Sequence, residues 1–235
     1  MDHEEIQLLT RKVEEEYGII TSLKSELGKT IIGQHDLVDR IIISFLCGGH
    51  ILIEGLPGLA KTLTIRAFAR SIKTGFSRIQ FTPDLLPADL VGTSIYNPRD
   101  MEFFVKKGPL FTNILLADEI NRAPAKVQSA LLQAMEERCV TIGDETFNLD
   151  EPFMVLATEN PIEQEGTYPL PEAQVDRFFM KVLVKYPAID EEKEILRNHG
   201  GLTPDSVQPV IDAAELKKKS ELIESIYVDD NLYDY

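Results

Sequence analysis

Gly55-Leu56-Pro57-Gly58-Leu59-Ala60-Lys61-Thr62 follows a short apolar run, Ile51-Leu52-Ile53, and opens a helix-like stretch that continues to about Ile72. Strand, glycine-rich loop and helix in that order are the setting a phosphate-binding P-loop requires. Glycines let the loop wrap so that successive backbone N–H groups converge on phosphate oxygens, and the helix N-terminus adds partial positive charge. In such a loop Gly55, Pro57, Gly58, Leu59, Ala60, Lys61, Thr62 and the following Leu63 cradle the nucleotide. Lys61 reaches the β- and γ-phosphates of ATP, and the Thr62 hydroxyl ligates Mg²⁺. Ala60 departs from the strict pattern, which has glycine there; alanine is tolerable if the backbone is helical and strained if φ is positive. Taken alone, the segment also reads as a plain Gly-Pro turn ahead of a helix.

A second stretch, Ile114-Leu115-Leu116-Ala117-Asp118-Glu119, is an apolar strand ending in two carboxylates, the form of a Walker B strand. Asp118 is expected in the Mg²⁺ shell, and Glu119 accepts a proton from, or polarises, the attacking water. By itself the pair also reads as a solvated strand end, but its occurrence downstream of a P-loop makes coincidence improbable. A third apolar run, Phe153 to Ala157, ends in Thr158-Glu159-Asn160-Pro161. Asn160 at that strand tip is the candidate to orient the lytic water beside the γ-phosphate, against the alternative of an Asn-Pro turn.

Further strand-like runs lie at Ser77 to Phe81 and Lys181 to Val184. Continuous rather than alternating apolar runs predict strands buried on both faces, hence an α/β three-layer αβα sandwich around a mostly parallel five-stranded sheet. Helical spacing predicts helices over Asp36 to Cys47 and Ala125 to Arg138, the second with Pro124 just ahead as a start signal. Two hairpin insertions are predicted, Thr93 to Tyr96 with Glu102 to Val105, and Val140 to Ile142 with Thr146 to Leu149, each around a strong turn sequence. After Tyr186-Pro187 the chain becomes a charged tail with Gly200-Gly201, Pro204 and Lys217-Lys218-Lys219. The division expected is a nucleotide-binding core over 1–186 and a linker with the beginning of another element over 187–235.

The balance of 24 Lys+Arg against 39 Asp+Glu gives a net charge of −15, which argues against general attraction to nucleic acid. With 43% hydrophobic residues, roughly 70% of the unfolded surface can be buried, so a disordered chain is excluded. Two cysteines, Cys47 and Cys139, make neither a disulfide framework nor a Cys-x-x-Cys metal motif, and they read as small apolar fillers in a reducing compartment. His3, His35, His50 and His199 are scattered. The longest apolar stretch, Ile41 to Cys47, is broken by Ser44 and too short to span a membrane. The N-terminus is acidic where a signal peptide is basic, so cytoplasmic localisation is expected.

Gly55 to Thr62, Leu115 to Arg122 (LLADEINR) and above all Ala157 to Phe178 (ATENPIEQEGTYPLPEAQVDRF) together resemble the MoxR family of AAA+ ATPases. The resemblance covers about Gln7 to Leu196, and alanine at the Ala60 position is itself usual in that family. It implies that Ile32-Gly33-Gln34 packs on the adenine and that Arg177 is an arginine finger reaching the ATP site of a neighbouring subunit; a surface pairing of Arg177 with Asp176 or Glu172 is the alternative. It further implies that the two hairpins face the pore of a ring and handle substrate or partner. Glu159 departs from the family, which commonly has glutamine there. The family continues into a helical lid with a second-sensor arginine, for which this sequence offers no candidate after Arg197.

The function these readings imply is an ATP-hydrolysing, Mg²⁺-dependent, chaperone-like motor, binding ATP or ADP and assembled as a homo-oligomeric, hexameric ring. Its implied partners are a protein client and proteins with a von Willebrand A domain. A finger supplied in trans makes each site depend on a heterologous neighbour, which is what closes a ring. The alternatives are a non-catalytic, nucleotide-responsive scaffold and an AAA+ machine acting on nucleic acid.

Overall fold

The computed structural model describes residues 3–56, 58–161, 167–197 and 203–232. Pro57 and His199 therefore lie outside the described residues. Nine strands and nine α-helices run in the order α1 (His3–Gly28), α2 (His35–Leu46), β1 (Ile51–Glu54), α3 (Lys61–Ser71), β2 (Phe76–Gln80), α4 (Pro87–Val91), β3 (Gly92–Asn97), β4 (Glu102–Lys107), β5 (Ile114–Asp118), α5 (Ala125–Glu137), β6 (Cys139–Ile142), β7 (Glu145–Asn148), β8 (Met154–Glu159), α6 (Glu172–Val175), β9 (Met180–Leu183), α7 (Ile189–Arg197), α8 (Ala213–Lys218) and α9 (Ser220–Glu224) among those residues.

The five apolar runs pair side by side in the order β2-β5-β8-β1-β9, every pair parallel. Their alternate side chains divide between two cores. Ile51, Ile53, Ile114, Leu116 and Leu156 pack with α1, α2 and α3, and Leu52, Leu115, Ala117, Val155 and Ala157 pack with the α5 side. This is the three-layer α/β sandwich expected, with the three central runs too apolar to face water and the edge strands β2 and β9 partly exposed. All five parallel strands point the same way, so the loops following β1, β5 and β8 gather at one end of the sheet.

Both hairpins form where the turn residues predict them, as the antiparallel pairs β3–β4 and β6–β7. Gly92 enters the first at φ +103, and a Cβ there would lie 2.2 Å from the Lys106 carbonyl oxygen, so only glycine closes the base of that hairpin. Its tip carries Met101 and Phe103 largely in solvent, 77% and 72% exposed.

The 26-residue α1 was not foreseen, because its first half presents Leu8, Val13 and Tyr17 to solvent and lacks a continuous apolar stripe. Among the described side chains of α1 only Leu23 and Leu27, one turn apart, are fully buried, and they anchor it to α2 and α3. The tail returns to the same core: Val207, Ile211, Ala213 and Leu216 are buried there, Arg70 Nε donates to the Val207 carbonyl (2.9 Å), and the Val210 N–H donates to Ser71 O (2.7 Å). Lys217 pairs with Glu151, and Lys219 with Glu16 at 2.5 Å, so two of the three lysines tie down the tail. Cys139 is partly buried, but Cys47 is exposed, a correction to its reading as a filler: α2 ends there and the chain leaves the core through Gly48-Gly49. Among the described residues no helix is long and apolar enough to cross a membrane.

Candidate functional site

β1 feeds directly into the glycine-rich loop. Gly55 lies so close to Val184 that a Cβ would come within 3.1 Å of the valine Cβ and carbonyl oxygen. Gly58 takes φ +85, and Ala60 takes φ +55 and ψ +16, so the strained alternative for this alanine is the one realised. A left-handed alanine costs roughly 1 kcal/mol. The conformation turns the chain into α3, where the Ala60 carbonyl accepts the Thr64 N–H at 2.9 Å and the Thr64 hydroxyl at 3.1 Å. Lys61 folds across the loop and donates to Gly55 O at 2.7 Å. Burial lowers the Lys61 pKa below its ordinary value, with Asp118 and Glu119 pulling it the other way.

The carboxylates at the end of β5 are fixed from two sides. From β8, the Thr158 hydroxyl donates to Asp118 Oδ1 (2.6 Å) and its oxygen accepts the Glu119 N–H (2.8 Å). From β2, Arg78 donates to Asp118 Oδ2 through Nη2 (2.6 Å) and Nε (3.2 Å), and Gln80 Nε2 donates to Glu119 Oε2 (2.9 Å). Arg122 Nε adds a second contact to Glu119 Oε2 at 2.9 Å. Glu119 itself sits at φ +58, a left-handed turn that ends the strand and presents its carboxylate at the rim.

Arg78, Gln80 and Thr158 were not singled out in the sequence. The signal for the first two was their spacing of two in one strand, which places both on one face. The register of β2 on β5, Gln80 opposite Asp118, then brings that face to the carboxylates.

A cavity of about 360 Å³ brings Gly58 to Leu63 together with Asp118, Glu119 and Asn160. Asn160, just beyond β8, is 6% exposed, and its carbonyl accepts from Asn121 Nδ2 at 3.4 Å. Asn121 O in turn accepts the Tyr168 N–H at 2.6 Å, and Gln128 Nε2 donates to Tyr168 O at 2.9 Å, so the stretch beginning at 167 is pinned beside the acidic pair.

Ile32, Gly33 and Gln34 are set beside this cavity rather than in its walls. Gln34 Nε2 reaches Lys185 O at 3.5 Å, and Gly33 lies against Pro187 and Glu191. The segment from Val184, which touches Gly55, joins them to the loop.

Glu159 turns toward Lys181 (3.7 Å), whose Nζ also meets Glu54 at 2.6 Å. Burial, seconded by Glu54, holds the Glu159 pKa above its ordinary value against the pull of Lys181.

Arg177 is at the other end of the sheet. The Phe179 N–H donates to the carbonyl of His50, the residue before β1, whereas the glycine-rich loop follows β1. Its Nη2 pairs with Glu136 at 3.0 Å, and neither Asp176 nor Glu172 is that partner. The metal donors expected, the Thr62 hydroxyl and the Asp118 carboxylate, are hard oxygens on one wall of the cavity, and few protein ligands with phosphate and water completing the shell is how Mg²⁺ is usually held. The residues fit that ion.

A left-handed glycine-rich loop on β1, a paired acid at the end of the parallel strand two places away and a polar tip on the strand between them define a P-loop ATPase of the AAA class. The family described as "ATPase family associated with various cellular activities (AAA)" matches residues 50–180. Chaperone MoxR1 of Mycobacterium tuberculosis is 51% identical over 210 residues, covering 89% of this chain and 55% of that protein. The YeaC protein of Bacillus subtilis is 43% identical (94% and 70% covered), and Protein MoxR of Paracoccus denitrificans 33% identical (74% and 52%). A crystal structure from Cytophaga hutchinsonii superposes with a TM-score of 0.86 at 47% identity, over 98% of this chain and 71% of that one. The chain belongs to the MoxR family of AAA+ ATPases. It spans little more than half the length of two of these three relatives.

Proposed function

We propose that this chain binds ATP and hydrolyses it to ADP and phosphate with Mg²⁺, as a chaperone-like motor that assembles into a homo-oligomeric, hexameric ring and remodels partner proteins. The observation that carries the reading is the convergence of Lys61, Thr62, Asp118, Glu119 and Asn160 on one cavity while Arg177 stands at the opposite end of the same sheet. In this reading Lys61 leaves Gly55 O for the β- and γ-phosphates, and the loop N–H groups with the α3 N-terminus hold their charge. Glu119, oriented by Gln80 and Arg122, takes the proton of the attacking water, and the Asn160 amide aligns that water. Thr158 holds the Asp118 carboxylate and the Glu119 backbone N–H in place during the step. Bound at Thr62 and Asp118, Mg²⁺ supplies neutralisation of the charge on the phosphate oxygens. Arg177, unable to serve its own cavity, completes a neighbour's and stabilises the γ-phosphoryl group, an effect worth about 10³ to 10⁵ in rate in other NTPases.

The name of the mycobacterial relative supports the chaperone part of the reading. A cytoplasmic setting, a protein client and von Willebrand A-domain partners follow from the family likeness. The division into a core over 1–186 and the beginning of a lid over 187–235 belongs to the same proposal, with the lid's first segment clasped on α3.

Steady-state ATPase rate against protein concentration, with Glu119→Gln as the blank, tests it. Specific activity rising steeply with concentration, absent in the variant and lost in Arg177→Ala, is the expected result. A flat, near-zero rate with ATP still bound puts a nucleotide-responsive scaffold in its place.

A further inference from the structure

β2 is the edge strand of the sheet, and it forms one wall of a second, larger cavity of about 780 Å³. Arg66 and Arg70 from α3, Lys73 just after it and Arg78 from β2 all line this cavity, and Asp205 is the one carboxylate among its lining residues. In a chain of net charge −15 this is a local reversal of sign. It is also held against a local cost, because like charges four apart on a helix, as Arg66 and Arg70 are, destabilise it by a few tenths of a kcal/mol. Asp205 offsets that only loosely, at 3.4 Å from Arg66 and 3.3 Å from Arg70 and itself 63% exposed, so a better-placed carboxylate can take over both guanidinium groups. The backbone adds a second element. β2 pairs with β5 on one side alone, and Phe76, Ser77 and Arg78 open its other side to the cavity, where the N–H and C=O groups of an edge strand accept an additional strand.

We infer that this groove is a docking site for an acidic, extended segment of a partner protein, added as a strand on β2 with its carboxylates on Arg66, Arg70 and Lys73. Charge supplies the selectivity and the edge backbone supplies the direction. Arg78 gives the docking a consequence, because it lines both this groove and the nucleotide cavity and its guanidinium holds Asp118. A partner carboxylate that engages Arg78 draws it from Asp118 and frees the carboxylate for a divalent cation. This second step rests on the reading of Asp118 as a metal ligand; the docking does not.

The probe is a fluorescent peptide of alternating glutamate and valine, with a lysine–valine peptide as the control, followed by anisotropy at low and high salt. The glutamate peptide is expected to bind, to weaken with salt, and to lose at least about tenfold in affinity in Arg66→Glu/Arg70→Glu and less in Arg66→Gln/Arg70→Gln. Backbone N-methylation of the peptide is expected to abolish binding, since it removes the donors an added strand needs. Equal binding of both peptides, or full binding to the charge-reversed protein with its fold verified by circular dichroism, overturns the inference. So does absence of peptide binding together with self-association that the charge reversal abolishes, which makes a second copy of the chain the occupant. Mn²⁺ titration followed by electron paramagnetic resonance reads the second step: the peptide is expected to tighten Mn²⁺ several-fold in the native protein and not in Arg78→Gln. Peptide binding with unchanged Mn²⁺ affinity overturns the link through Arg78. Peptide binding by a protein that never takes up Mn²⁺, even with ATP present, overturns the metal reading and leaves the docking site standing.

Discussion

The two ends of the central sheet are built on opposite principles. At the end where β1 and β8 begin, the buried polar side chains bind backbone, and the ion pairs, Arg177 with Glu136 and Lys217 with Glu151, are between exposed side chains. His50, 4% exposed, accepts the Val155 N–H at Nδ1 (3.0 Å) and meets the Met135 carbonyl at Nε2 (3.2 Å), and Arg138 donates to Gly48 O (2.8 Å) and to Phe153 O. These contacts join β1, β8 and α5. At the end where the strands finish, charges face charges: Asp118 with Arg78, Glu119 with Arg122, Lys181 with Glu54 and Glu159. Two residues there, Ala60 and Glu119, are also left-handed without being helix C-caps. One end is arranged to hold the fold, and the other carries desolvated charge and backbone strain that the fold has no need of.

Substitutions at the two ends should therefore separate stability from activity. The largest expected effect is Lys61→Met, which lowers ATP turnover by about 10² to 10³ while leaving the thermal unfolding temperature unchanged or raised, because a half-buried ammonium is removed. Phosphate release and calorimetry on the same preparations check it, and a fall of several degrees breaks the comparison.

Next comes acid at the holding end. Burial, then Arg138, depresses the His50 pKa from 6.5 to about 4, so the imidazole stays neutral in the fold after the unfolded chain has taken up its proton. The stability from His50 is complete above 6.5 and is lost as pH falls toward about 4, a change of about 3 kcal/mol by linkage. Urea unfolding across that window should show the loss, and His50→Gln should flatten it while being less stable at neutral pH by about 1 kcal/mol.

At the working end Ala60→Gly should stabilise by about 0.5 kcal/mol, relief of left-handed strain exceeding the added entropy of the unfolded chain. The urea midpoint reads this, and an unchanged or lower midpoint argues that φ +55 carries no strain. Smallest is Glu159→Gln. A carboxyl whose pKa is raised in the fold contributes stability below its unfolded value and loses it as pH rises, so glutamine should lift the midpoint slightly near neutrality and not in acid.

Much of this was legible in the chain because the signals are local. The three central strands, β1, β5 and β8, are continuous apolar runs, Gly55 to Thr62 is a contiguous loop, and both hairpins announce themselves by their turns. Lys61, Thr62, Asp118, Glu119 and Asn160 could be named because each sits at a fixed offset from the end of such a run, and parallel strands bring those ends together. What escaped notice depends on pairing. Arg78 and Gln80 are unremarkable polar residues of a strand until β2 lies beside β5. Thr158 gains its role only when β8 lies between β5 and β1, and α1 is a helix that packs mainly through its second half, by Ile19, Ile20, Leu23 and Leu27.

The sequence by itself determined the strand–loop–helix order, the candidates Lys61, Thr62, Asp118, Glu119 and Asn160 that line one cavity and, through the stretch from Ala157 to Phe178, the family. Only the tertiary structure decided that Ala60 is left-handed, that Arg177 stands away from its own cavity, that Glu159 turns to Lys181, and that Arg66, Arg70, Lys73 and Arg78 share one groove. The reason is that motif and periodicity are properties of neighbours along the chain, whereas register, charge pairing and the sign of φ are set by neighbours in space.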